Sequence, residues 1–272
     1  MADAKADDAY LERYSRNILL REIGLEGQAR IRAAKVLIVG VGGLGSPAAF
    51  YLAAAGVGTL GLADGDAVEL SNLQRQIVHD SGDIGRAKVV SAAEKIARLN
   101  PDVAVNLHRE RLVAANAADI VAGYDFVIDA TDGFESKFLI NDSCVVTKTP
   151  FSHGGVMRFT GQTMTVRPGR SACYRCVFEA PPPEGSVFVC SEVGVLGAVA
   201  GMLGTIQAVE AIKIVTGVGA PLTDALLTFD ALAMSFRKVP LKRNPACPVC
   251  GNHAASGKMI DGTFGKSGLK SG

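Results

Sequence analysis

Through the first 150 residues, short apolar runs alternate with stretches of helical spacing. Residues 10–32 read as helical on the apolar positions Ile18, Leu19, Ile23, Leu25 and Ile31, broken near Gly24 and Gly27. Residues 35–39 (KVLIV) are a β-branched run suited to a buried parallel strand. A helix over 46–55 follows, stopped by Gly56, and residues 59–63 make a second strand closing on Asp64. Residues 65–85 are polar and without period, and a loop of that length either binds something or is disordered. Next come a helix over 85–99 stopped by Asn100 and Pro101, an alternating strand over 103–107, a short helix over 114–122, a buried strand over 124–128 and a helix over 137–146.

This alternation predicts a parallel, doubly wound sheet. Beyond residue 150 the pattern changes: 158–167 and 225–239 read as antiparallel strands flanking a long helix over 195–215. The expected fold is therefore α/β, a Rossmann-like, mainly parallel sheet extended by antiparallel strands, with N-terminal helices. Residues 1–252 are expected to form one domain, with a helical segment over 1–32, a nucleotide-binding half over 33–150 and a second half over 151–252. Residues 253–272, rich in Gly, Ser and Lys, read as a flexible tail. The most apolar stretch, 193–209, is followed by Glu210 and Lys213, and its glycines suit close helix packing in a core better than a membrane span.

Composition narrows the function classes. Hydrophobic residues make up 48% of the 272, enough for a sizeable core, and 28 basic against 27 acidic residues leave a charge of +1. No basic field points to nucleic acid or an anionic membrane. The start, MADAKADDAYLER, is polar and acidic, unlike a signal peptide, so a soluble cytoplasmic protein is expected. Six cysteines in a chain of this size do not make a disulfide framework, and four of them fall into two C-x-x-C pairs, which points to metal or redox chemistry.

Strand, then Gly40-x-Gly42-Gly43-x-Gly45, then helix is the dinucleotide fingerprint in its proper context, since glycines let phosphate oxygens approach backbone N–H groups at a helix start. Asp64 lies 19 residues past Gly45, where a carboxylate accepts hydrogen bonds from ribose hydroxyls, with Asp66 close behind. NAD is the plain reading of such a fingerprint. The following loop, Ser71-Asn72-Leu73-Gln74-Arg75-Gln76, and Lys88 put two cations, an amide and a hydroxyl beside the nucleotide, which suits a triphosphate better. Asp129-Ala-Thr-Asp132-Gly133 ends the fourth strand, where ligands gather in open α/β sheets. A carboxylate there facing a triphosphate is suited to Mg²⁺. Asp129 can equally cap the next helix, which favours Asp132 as the functional acid.

Cys173-Tyr-Arg-Cys176 and Cys247-Pro-Val-Cys250 together suit one tetrahedral Zn²⁺, closed and structural because sulfur fills every position. Cys144 sits in an apolar helix and reads as core. Cys190, between Pro181-Pro182-Pro183-Glu184-Gly185 and the glycine-rich helix, reads either as a thiol that meets substrate or as a bystander. His79, His108, His153 and His253 show no triad or metal pattern.

Taken together, RYSRNILLREIGLEGQ, VGVGGLGSP, DGDAVELSNLQRQ, DIGRAKV, DATDGFESKFLIND, CYRC, PPPEGSV-x-x-CSEVGVLG and CPVCG resemble the MoeB/ThiF family of adenylyltransferases, over about residues 10–252. The resemblance implies a homodimer that uses ATP to adenylate the Gly-Gly C-terminus of a ubiquitin-like sulfur-carrier protein, releasing pyrophosphate. It implies that Asp64 binds ribose, that Gly43 borders the nucleotide, that Asn72, Arg75 and Lys88 bind phosphates, and that Asp132 is the magnesium-linked acid. Arg16 matches an arginine supplied across the dimer interface to the partner's ATP. Lys137 stands where many members carry Arg. Cys190 aligns with a cysteine that some relatives use for a covalent acyl or persulfide linkage and others do not. No rhodanese-like domain follows residue 252, so sulfur delivery is expected to fall to another protein.

Overall fold

The computed structural model describes residues 8–183 and 193–252. Cys190, His253 and the expected tail lie outside them. The expected N-terminal helical stretch is two helices, α1 (Asp8–Ile18) and α2 (Gly24–Ala33). The break comes at residues 19–23, where Gly24 turns at φ +57°, and the helix continues through Gly27. Tyr14 fastens α1 to the body: its ring lies against Gly56, whose place a Cβ would fill at 2.5 Å, and its hydroxyl accepts a 2.7 Å bond from Asn100 Nδ2.

β1 (Lys35–Val39), α3 (Gly45–Ala55), β2 (Thr59–Ala63), α4 (Lys88–Leu99), β3 (Ala104–His108), α5 (Ala117–Ala122), β4 (Phe126–Asp129) and α6 (Phe134–Thr147) follow. They build the parallel part of an eight-stranded sheet of order β3-β2-β1-β4-β5-β6-β7-β8. β1 lies between β2 and β4, and Val36, Leu37, Ile38, Phe126, Val127 and Ile128 have no exposed surface. Strands covered on both faces need apolar residues at successive positions, and this accounts for their continuous runs in the sequence.

β5 (Phe151–Met157) is a strand that the sequence pattern did not suggest. It pairs parallel with β4 and antiparallel with β6 (Thr160–Val166), turning the sheet from parallel to antiparallel. Its first four residues, Phe-Ser-His-Gly, are all buried, so neither alternation nor a β-branched run marks it. The four-residue helix α7 (Tyr174–Val177) carries the first cysteine pair, and β7 (Ala225–Asp230) and β8 (Ser235–Pro240) complete the sheet.

Among the described residues one helix, α8 (Gly197–Thr216), is long and apolar enough to cross a membrane. Here it is a core helix, packed on α3 and across β4, β5 and β6. Gln207, buried at its middle, donates to the carbonyls of Asp129 and Ser152 at 2.9 and 3.0 Å and so clips β4 to β5. Gly204 permits the approach to α3, since a Cβ there would stand 2.1 Å from the Leu44 carbonyl, whereas a Cβ on Gly201 would meet nothing within 4 Å. Gly204→Val is therefore expected to destabilise the fold by about 1–3 kcal/mol in urea denaturation, by overpacking. Gly201→Ala is expected to stabilise it by roughly 0.5–1 kcal/mol through helix propensity.

Candidate functional site

The site grows from the carboxyl end of β1. Gly40 takes φ +91°, and a Cβ on Gly45 would stand 2.0 Å from the Gly40 carbonyl oxygen, so the turn closes only because that position has no side chain. α3 starts at Gly45 with no side-chain cap; Ser46 N–H already donates to the Gly42 carbonyl at 2.9 Å and Pro47 has no N–H, so within the first turn the Gly45 N–H is the one available to an anionic ligand. Ser46 donates to the Gly42 carbonyl, and His79 bridges the Val41 carbonyl at 3.1 Å and Ser91 Oγ at 2.8 Å. Burial lowers the His79 pKa, so this ring is a neutral brace joining the glycine turn to α4.

Beside this turn, at the end of β2, the Asp64 carboxylate accepts the Val41 N–H at 2.8 Å and the Asp66 N–H at 2.9 Å. Lys88, the first residue of α4 and almost buried, places Nζ 3.3 Å from Asp66 and 3.9 Å from Asp64. Asp66 also accepts 2.7 Å from Arg111, and that bond leads the lowering of its pKa. Arg111 follows β3 and was not singled out in the sequence. Only the fold brings it over Gly65, where a Cβ would lie 3.0 Å from its Cγ.

The loop candidates sit opposite. Residues Leu70–Asn72 form a 3-10 turn in which Asn72 is buried and its Oδ1 accepts the Glu69 N–H. Ser71 and Gln74 are exposed, Leu73 and Arg75 half-buried. Arg75 donates to the Ser71 carbonyl at 3.1 Å, and its stem runs along Gly43, where a Cβ would meet its Cγ at 3.4 Å. The N-terminus of α8 closes in from the other side, since a Cβ on Gly197 would meet the Gln74 carbonyl at 2.4 Å. Gln76, the last residue of that loop, is buried beside Gly42 with Oε1 unpartnered among the described residues.

After β4 the two aspartates separate. Asp129 does not cap the next helix, because Gly133 holds that position. Its carboxylate turns inward, 1% exposed, to Lys137 at 3.3 Å and His153 at 3.0 Å. Burial pushes its pKa up, but Lys137, His153 and Thr131 more than offset this and hold it at about 2. Asp132 and Gly133 are exposed at the loop's crest, so Asp132 presents an oxygen ligand of the kind Mg²⁺ takes. Arg16, on the exposed side of α1, has no hydrogen bond or ion pair with these residues among those described.

Across the sheet, the sulfurs of Cys173, Cys176, Cys247 and Cys250 lie within 4.8 Å of one another, a set that can hold one metal ion. The Asn244 N–H donates to Cys176 Sγ at 3.3 Å, and a Cβ on Gly251 would meet the Cys247 carbonyl at 2.5 Å, so the second turn tolerates little else. Cys144 is fully buried in the core, as expected. His108 bonds Tyr124 at 2.8 Å and takes no part in the site.

The ThiF family profile matches residues 14–249. The chain belongs to the ThiF family. It is 42% identical over 256 residues to a sulfur carrier protein adenylyltransferase of Thermus thermophilus, covering 92% of this chain and 94% of that one. It is 47% identical over 245 residues to the SAMP-activating enzyme E1 of Haloferax volcanii, covering 90% of each. The ThiF fold also aligns with the crystal structure of Escherichia coli MccB with ATP at TM-score 0.79 and 24% identity, over 88% of this chain and 75% of that one.

Proposed function

We propose that this ThiF-family chain adenylates the C-terminal Gly-Gly carboxylate of a ubiquitin-like sulfur-carrier protein. The observation that supports it most is the meeting of the glycine turn, Asp64, Lys88 and Arg75 at one crevice, in a chain aligned nearly end to end with a sulfur carrier protein adenylyltransferase. A carboxylate oxygen of the carrier attacks the α-phosphorus of ATP, the bond to the β-phosphate oxygen breaks, and pyrophosphate leaves. Negative charge builds on phosphate oxygens, so the work falls to aimed cations and N–H donors rather than to an acid–base pair. Asp64 holds the ribose, Gly40, Gly42, Gly43 and Gly45 admit the phosphates, and Asn72, Arg75 and Lys88 bind them. Asp132 holds Mg²⁺, which neutralises phosphate charge.

Two exposed apolar surfaces suit the partners. Met157, Phe159, Leu196, Leu232, Met234 and Phe236 lie at one end of the antiparallel strands, where the β5–β6 and β7–β8 turns adjoin, and offer the carrier a docking face. Asn17, Tyr51, Val209 and Ile212 line a 260 Å³ cleft, and together with Leu19, Leu20 and Leu25, exposed at the end of α1 and the start of α2, they offer a face to a second copy, which would supply Arg16. The cysteine cluster holds Zn²⁺ as a structural clip, and its unpaired thiols suit the cytoplasm.

Pyrophosphate exchange into ATP is expected only with a Gly-Gly carrier, and molybdopterin- and thiamine-type carriers are the ones to try. Exchange by no carrier, or equally well with the terminal glycines removed, defeats the proposal. Asp132→Ala is expected to reduce exchange about a hundredfold or more. Arg16→Ala is expected to be comparably poor, yet mixing the two inactive variants should restore about a quarter of wild-type exchange, through random assortment into dimers with one intact site of two. No recovery on mixing excludes a shared site.

Metal analysis is expected to find one zinc per chain. Cys247→Ser should lose it and lower the thermal midpoint, since binding free energy at such a site is folding free energy. A metal-free wild type with an unchanged midpoint refutes the clip.

A further inference from the structure

One buried charged cluster has no part in this chemistry. Asp129, Lys137 and His153 are 1%, 6% and 1% exposed, behind the loop that carries Asp132. Lys137 Nζ has three protons, and its partners are the Asp129 carboxylate, the Thr131 carbonyl at 2.6 Å and the Gly154 carbonyl at 2.7 Å. Asp129 in turn accepts the Thr131 N–H at 3.1 Å and the Thr131 hydroxyl at 2.7 Å. The backbone N–H of Lys137 donates to the Gly133 carbonyl at 3.2 Å. Asp132 thus sits between two residues that Lys137 holds, Thr131 through Nζ and Gly133 through its main chain.

A buried ion pair is a poor source of stability, because desolvation of both charges offsets their attraction, and apolar residues of similar volume serve a fold as well or better. What the pair does supply is geometry. Every polar atom of Thr131 is bonded, the loop is tied to β5 through Gly154, and of the two aspartates Asp132 is the one left exposed. His153 donates from Nδ1 to the other side of Asp129 while its ring rests on Tyr174, 4.6 Å between centroids.

We propose that Lys137, acting with Asp129, is a positioning residue that sets Asp132 for the metal ion bound with the nucleotide. This rests on the reading of Asp132 as the magnesium-linked acid. A positioning partner behind a ligand typically changes metal affinity about 10–100-fold, so its loss should appear in the magnesium dependence rather than in nucleotide binding as such.

The test uses the full chain and a non-hydrolysable ATP analogue, titrated by calorimetry once with Mg²⁺ and once with EDTA. The ratio of the two affinities is the magnesium gain. Wild type and Lys137→Arg, which keeps the charge and the donors, are expected to show the full gain. Lys137→Met is expected to lose about tenfold of it with the EDTA affinity unchanged. The double variant Asp129→Asn/Lys137→Met leaves no lone buried charge, so it gives the same reading if the single variant fails to fold. A double variant that keeps the full gain while Asp132→Ala loses it overturns the inference, and so does an equal loss of affinity with and without Mg²⁺. Should Asp132→Ala keep the full gain, the reading of Asp132 itself is at fault and the inference falls with it.

Discussion

Strands β1 and β4 lie side by side while their connections leave in opposite directions, β1 toward β2 and β4 toward β5. A crevice must open beyond their carboxyl ends, because no connection crosses it, and ligands of open α/β sheets gather there. The rest of the structure depends on this split. Both strands are covered on both faces, so they cannot carry polar groups along their length, and the polar groups collect where the strands stop. The glycine turn follows β1, Asp64 follows β2, and Asp129 ends β4 with Ala130 to Gly133 following it. Glycine closes the crevice on three sides: Gly45 lets the turn fold onto the Gly40 carbonyl, Gly197 brings the start of α8 against Gln74 and Arg75, and Gly204 lets α8 approach the start of α3.

Charge in this crevice falls into two groups with different duties. Lys88 and Arg111 converge on Asp66, with Asp64 also within reach of Lys88, so this almost buried cation lies between two carboxylates. The second group, Asp129 with Lys137 and His153, is paired internally, His153 Nε2 alone having no partner among the described residues. Separating the two aspartates of one short loop in this way gives one a structural task and leaves the other exposed. An exposed carboxylate beside a braced one can meet a ligand while the backbone on either side of it is held.

The parallel half of the fold was legible in the sequence because each element there carries its own signal. KVLIV reads as a buried strand alone, and the glycine triplet reads as a turn alone. The cysteine pairs were legible for the same reason, as spacing within four residues decides which sulfurs can share an ion. β5 was not legible, since its residues become a strand only when β4 and β6 hold them, and two glycines and a histidine give no local pattern. The break in the N-terminal helix was placed a few residues late, at Gly27 as well as Gly24, because glycine inside a helix and glycine at its start look alike in sequence. Arg111 and the inward turn of Asp129 were hidden too, as each depends on partners that the chain brings from a distance: Asp66 to Arg111 spans 45 residues and Asp129 to His153 spans 24.

The cysteine cluster then has a reach beyond its own turns. It ties residues 173–176 to 247–250 and so fixes α7, in which Tyr174 follows the ligand Cys173 directly. Tyr174 takes its place from both sides: its N–H donates to Asn141 of α6 at 2.8 Å, and its ring packs on Phe138, Phe178 and His153. Arg175 adds a two-pronged bond to Asp142 of the same helix, at 2.7 and 2.8 Å. α6 is the helix that begins at the Asp132 loop and carries Lys137, so the clip bears on that loop both through the helix and through His153. Four sulfurs that can close around one metal ion leave no place on it for substrate, so by themselves they bear on stability alone. Packed against α6 in this way, the sulfur cluster is joined by continuous contacts to the crest of the crevice, and a remote set of side chains becomes part of what shapes the loop that carries Asp132.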